Sequence, residues 1–302
     1  MQRSSTATRI RTTAFAAGLA ALAASALAAT PLADQPVFSS IAVPGNLALA
    51  LSVEFPTAVS VAHTAGYSNA STYLGYFDPN KCYLYSYDAT EALRHFYPAG
   101  AAAGRVCAGT DDSEWSGNFL NWATMQTIDP FRWVLTGGYR STDTATETII
   151  EKAYASGQGG TGNFANRTLG SSAQVAEATP FPWDGLKMRI QGLGNKMRFT
   201  RNGDVNTAPT GYDPSVAVSS DTVYELSVRV KVCDTSASAG PLETNCTLYP
   251  GGNYKPTGLI QQYADQIRYS AFGYLNDSAL SRDGGVLRAQ QKFVGPTQPV
   301  PG

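Results

Sequence analysis

The chain has 302 residues, a formal net charge of −1 at pH 7 and only 15% charged residues, alongside 29 glycines and 17 prolines. Without a basic excess it lacks the electrostatic footprint of a nucleic-acid binder, and that class is excluded. The length supports one large domain or two small ones, with enough core to fold without staples.

Residues 1–28 read as a secretory signal peptide. Arg3, Arg9 and Arg11 precede the uncharged run "TAFAAGLAALAASALA", which is too short to span a bilayer, and Ala26-Leu27-Ala28 supplies the small residues a signal peptidase accepts. The arginines are not adjacent, which points to Sec-type rather than twin-arginine export. The first cysteine, Cys82, lies far beyond the cleavage region, so a lipid anchor at the new amino terminus is excluded. Four cysteines in an exported chain imply two disulfides, because the compartment is oxidising. Their order suggests Cys82 with Cys107 and Cys233 with Cys246, one of three possible connectivities. There is no CxxC pair, and the two histidines, His63 and His95, have no matching neighbours for a metal site.

"NLALALSVEFPTAV" is apolar on both faces until Ser52, the pattern of a central strand buried on both sides. Residues 67–109 have aromatic and turn residues without a lasting period and read as an irregular surface insertion bracketed by the first cysteine pair. In "WSGNFLNWATMQTIDPFRWVLTGGYR", Asn118 is placed to cap a helix with Phe119, Leu120, Trp122 and Ala123 along one side. Asp129-Pro130 then opens a second helix, which Gly137-Gly138 ends. In "TATETIIEKAYASG", Thr144 and Glu147 have capping-box spacing, which predicts a third helix running to Gly157. Residues 157–182 read as a long loop. "TVYELSVRVKVCD" alternates strictly and predicts a strand with one wet face. A helix from Pro256 or Thr257 through Ile267 feeds the apolar strand "RYSAFGYL", an α/β unit, and residues 296–302 read as a linker.

Few motifs carry chemistry. Gly157, Gly159 and Gly162 satisfy GxGxxG, but no strand precedes and no helix follows, so the pyrophosphate would have no helix terminus to meet. Neither histidine has a serine or acid at triad spacing, and both read as structural. Asn202, Asp204, Asn206 and Asp213 fall near calcium-loop positions, but Thr207 replaces the required glycine, and a polar hairpin explains them as well. No catalytic, cofactor or metal residue is assigned. Core packing is the default for the tryptophan-rich stretch; Trp115 and Trp133 fall off the apolar stripe and are the candidate partner-surface residues.

The block "WSGNFLNWATMQTIDPFRWVLTGG", with "YKPTGLIQQYADQIRYSAFGYLND" and "RDGGVLRAQQKFVGP" in order after it, resembles the amino-terminal region of the PilC/PilY family of type IV pilus tip adhesin and biogenesis proteins. The resemblance implies an exported, non-enzymatic protein at the pilus, cell surface or periplasm, with pilin or minor pilin subunits as partners and a host surface as a further target. It also implies a von Willebrand factor A-like domain over residues 29–295, a doubly wound α/β sheet with long loop insertions. The adhesion motif of that fold should end the first buried strand, yet Ser52, Val53, Glu54, Phe55 and Pro56 stand there without its aspartate and spaced serines, so the expected fold is degenerate and no metal residue carries over. Family members usually continue into a large carboxy-terminal β-propeller, and the sequence ends before one. Two alternatives stand beside this reading: a metal-dependent module rebuilt around Glu54 or Thr57, and a secreted carbohydrate-active enzyme using two carboxylates and an aromatic platform.

Overall fold

Short strands dominate the regular structure, and the computed structural model describes residues 44–51, 60–107, 114–157, 164, 166–274 and 284–295. β1 (Gly45–Ala50) comes first. β2 (Lys81–Ser86) and β3 (His95–Ala101) pair antiparallel, with Tyr83, Tyr85 and Phe96 buried. The stretch expected to be an irregular surface insertion is therefore sheet at its centre. A bulge between Cys82 and Tyr83 and the surrounding turn residues obscure its period of two.

β4 (Trp115–Ser116) pairs with the other edge of β2 and runs into α1 (Gly117–Thr124). The cap of α1 is Ser116, whose hydroxyl accepts from the Phe119 amide; Asn118, the expected cap, lies in the first turn. All eight residues of α1 are buried, so a helix expected to show one apolar side is enclosed all round. α2 (Ile128–Thr136) carries Asp129 and Pro130 in its first turn and ends at Gly137, which adopts the left-handed conformation at φ 82°. A side chain there would also strike Pro256, whose carbonyl carbon lies 2.6 Å from where a Cβ would sit.

The third predicted helix is a hairpin, β5 (Arg140–Asp143) and β6 (Thr148–Glu151). The Thr144 amide donates to the Glu147 carbonyl at 2.9 Å, and the Glu147 amide donates to the Thr144 hydroxyl at 3.1 Å. The same spacing that makes a capping box thus closes a turn, and the β-branched run Thr148-Ile149-Ile150 favours the sheet. Inside the expected loop of residues 157–182 lie β7 (Arg167–Leu169) and α3 (Ser172–Ala178), the latter capped by Ser171. Both are too short to print a period on the sequence.

β8 (Leu186–Arg189), β9 (Lys196–Thr200) and β10 (Thr210–Gly211) follow. The segment expected as one strand is two, β11 (Tyr224–Ser227) and β12 (Arg229–Val232), which belong to different sheets. Its expected wet face is dry at Ser227 and Arg229, because Arg229 is paired with Glu91 and Glu151. β13 (Cys246–Leu248) and β14 (Tyr254–Pro256) form a hairpin. α4 (Leu259–Gln262) is a shortened version of the last predicted helix, and β15 (Ile267–Tyr274) and β16 (Gly285–Lys292) complete the described elements.

The sheets run β4-β2-β3-β12-β6-β5, β10-β11-β9-β8-β7, β1-β15-β16 and β13-β14. Most pairs are antiparallel, while β1–β15, β10–β11 and β3–β12 are parallel, giving a mixed α/β fold. The six- and five-stranded sheets share an aromatic core with α1. At its centre Trp115 has no exposed surface, and its ring centroid lies 5.2 Å from Phe181, 5.6 Å from Phe199 and 6.0 Å from Phe96. β1, expected to be central and buried on both faces, is an edge among the described strands with Leu47 43% exposed.

Candidate functional site

The Gly-Asn-Phe-Leu-Asn-Trp block of α1 ties an irregular loop to the core. The Asn118 carboxamide accepts from the Tyr73 amide at 3.0 Å and donates to the Ser71 carbonyl at 2.9 Å. Asn121 accepts from the Phe77 amide at 3.0 Å and donates to the carbonyls of Tyr73 at 2.9 Å and Phe77 at 2.7 Å. Each side chain replaces the backbone partner that residues 71–77, lacking regular structure, would otherwise miss. The Trp122 indole N–H donates to the Ala65 carbonyl at 2.8 Å. Gly117 has no room for a side chain: a Cβ there would lie 2.2 Å from the Asp78 carbonyl oxygen. This motif is architecture.

The loop it fixes lines a cavity of about 210 Å³, walled by Leu74, Tyr76, Phe77, Trp133, Ile150 and Pro256. Trp133 is half-buried on α2, and Leu74 is exposed. On the outer side of α2, Phe131 and Val134 are exposed, and Leu259 and Tyr263 from the adjacent α4 segment are exposed as well. Gln261 joins the two helices by donating to the Thr136 carbonyl at 2.9 Å.

Charged groups inside the protein brace this wall. Lys81, next to Cys82, forms a buried 2.9 Å ion pair with Glu243, whose other oxygen accepts from the Cys233 amide at 3.1 Å. The two disulfide-closed loops are thereby joined. Asp129, in the first turn of α2, is fully buried and accepts from the amides of Gln126 at 2.8 Å and Ala153 at 2.7 Å. Burial raises its carboxyl above the usual range against the opposing charge of Lys152. Burial also pushes the Lys152 ammonium down to about 8.

The predicted residues are distributed unevenly. Cys82 is bonded to Cys107 and Cys233 to Cys246. Of the two candidate partner-surface tryptophans, Trp133 reaches the cavity, whereas Trp115 is enclosed by core aromatics and no partner can touch it. Glu54 and Thr57 lie outside the described residues, as do Gly159 and Gly162. Cys233, Glu243 and Cys246 cluster as metal ligands would, but both sulfurs are consumed in the disulfide. The calcium-like loop is held by a cation of its own: Lys187 donates to the carbonyls of Asn202 at 3.2 Å and Gly203 at 3.4 Å, and Asp213 uses its carboxylate on Ser215. His95 bonds the Leu93 carbonyl and His63 the Leu74 carbonyl. Asp78 and Glu243 both line the cavity; Asp78 accepts from the Asn80 amide at 2.8 Å and Glu243 from the Cys233 amide at 3.1 Å. Sequence reasoning gave Asn118 a capping role rather than this loop-tying one, and missed Asn121 and the Lys81–Glu243 pair. Two asparagines three apart in an otherwise apolar helix were the signal for the loop-tying role.

The described residues thus form a disulfide-braced mixed α/β fold with an apolar cavity beside an exposed helix face. Residues 64–219 match the family described as "PilY1 homolog, small alpha/beta domain". The chain is 49% identical over 280 residues to a type IV pilus biogenesis factor PilY1 homolog of Xylella fastidiosa, an alignment covering 89% of this chain and 23% of that protein. A second protein of the same name and organism is 28% identical over 254 residues, covering 72% of this chain and 16% of its own length. The chain belongs to the PilY1 family and spans less than a quarter of the length of these relatives. No solved structure matches it.

Proposed function

We propose that the chain serves type IV pilus biogenesis by holding a pilin or minor pilin subunit against the Trp133 cavity and the adjoining face of α2 and α4. The observation that carries this reading is the pairing of a braced apolar cavity with exposed Phe131, Val134, Leu259 and Tyr263, in a chain whose relatives are named as pilus biogenesis factors. A preformed pocket with exposed apolar neighbours is what a protein contact uses as an anchor. The role is binding rather than catalysis, and adhesion to a host surface would use the same rigidity.

Residues 1–28 act as an export signal, residues 29–295 form the domain and residues 296–302 link it onward, which places the protein at the cell surface, on the pilus or in the periplasm. The sheet β1-β15-β16 is the start of a von Willebrand factor A-like sheet. Its support is the parallel pairing of β1 with β15 across more than two hundred residues of intervening chain, and a β1 sequence apolar on both faces. Strands of that composition belong inside a parallel sheet, so further polypeptide would cover the exposed Leu47, Phe272 and Leu287. The experiment is a count of sheared surface pili in a deletion strain and in one restored with this 302-residue form. Restoration supports the proposal, and unchanged piliation on deletion opposes it.

A further inference from the structure

Arg167 opens β7, the edge strand of the five-stranded sheet. Its guanidinium carbon lies 4.4 Å from the centroid of the Trp122 ring, and one terminal nitrogen donates to the His63 carbonyl. Its Nε is shut off from solvent with no hydrogen-bond partner. Of the other buried cations, Lys81, Arg229 and Lys255 each hold an acid, and Lys152 donates to the Ala153 carbonyl at 2.9 Å near Asp129. Arg167 pairs with no carboxylate among the described residues, although it is half-buried and burial lowers its guanidinium.

A guanidinium held in that state is costly, and an anion in contact would offset the cost. Two groups face it. His63 has its imidazole lowered by burial and further by the Arg167 charge, and its Nε2 lies 2.8 Å from the Leu74 carbonyl. Tyr73 is a phenol packed 5.1 Å from the His63 ring. The site therefore offers one full positive charge, an aromatic floor and a planar fork of donors mostly unused. A doubly charged phosphate would leave excess negative charge among aromatic walls. A carboxylate matches both the charge and the fork.

We propose that Arg167, backed by Trp122 and flanked by His63, is a binding site for a single carboxylate carried by a partner polypeptide. Arg167 is half-buried, on the edge strand of its sheet. The site shares only Leu74 with the Trp133 cavity, through the carbonyl that holds the His63 ring.

The test uses the purified full chain with its disulfides intact, titrated with sodium acetate against sodium chloride at matched ionic strength, and followed by Tm and tryptophan fluorescence. Acetate should raise Tm saturably where chloride does not, and Arg167→Met should abolish the difference without lowering its own Tm. Arg167→Lys, which keeps the charge but loses the fork, should respond more weakly than the parent. A blocked peptide containing glutamate should then bind at lower concentration than acetate, with its glutamine counterpart inactive. Tighter binding by acetate than by the glutamate peptide would overturn the polypeptide source. Equal responses to acetate and chloride in the parent, or an equal acetate response in Arg167→Met, would overturn the site. A large fall in the Tm of Arg167→Met with no acetate effect in the parent would make Arg167 a structural clamp only.

Discussion

Replacing Asn121 with alanine removes three hydrogen bonds and leaves the Phe77 amide and the carbonyls of Tyr73 and Phe77 without their side-chain partner in a buried setting. An orphaned buried polar group costs about 1–3 kcal/mol, so the three together cost about 4 kcal/mol, allowing one carbonyl to recover a water. For a domain of this size each kcal/mol lowers Tm by about 2–4 °C, which predicts a fall of about 8–16 °C. Far-UV circular dichroism melts of the oxidised parent and Asn121→Ala measure it directly. Asn121→Asp should not rescue, since it keeps the acceptor, loses the donors and buries a charge. A fall of less than about 2 °C would refute the assignment of Asn121 as the clamp of residues 71–77.

Cys82→Ser and Cys107→Ser should destabilise alike, each by about 3 kcal/mol, from loss of a cross-link spanning 25 residues; unequal losses in protease resistance would contradict this. Glu243→Ala strands the buried Lys81 ammonium and should cost about 3–5 kcal/mol in chemical denaturation, while Lys81→Met with Glu243→Leu should recover most of the loss. Lys152 titrates at about 8 in the folded chain, below its unfolded value, so the unfolded chain holds more protons above pH 8. Stability relative to Lys152→Met should therefore rise between pH 8 and pH 10, and a flat difference across that window would remove Lys152 as its cause.

The sequence made the two helices of the tryptophan-rich stretch legible because Gly137, Pro130 and the apolar spacing all act locally. It misled at Thr144–Gly157 because one spacing, Thr-x-x-Glu, closes either a helix cap or a hairpin turn, and the neighbouring strand decides which. Ser227 and Arg229 looked solvated because their partners, Glu91 and Glu151, lie far away in sequence. Trp133, off the helix stripe, reaches the cavity, whereas Trp115, also off it, is buried because it sits in a two-residue strand rather than in the helix. The cavity itself is assembled from six separated segments, and no local pattern encodes it.

In the proposed function the block around Asn121 builds the domain while the Trp133 face would bind the pilus. Co-sedimentation of Trp133→Ala with sheared pili, alongside its melting curve, tests this most directly. The account predicts a variant that melts within about 4 °C of the parent, since a half-buried side chain leaves little cavity behind, and that no longer sediments with pili. A folded Trp133→Ala that still travels with the pili at parental levels would contradict it.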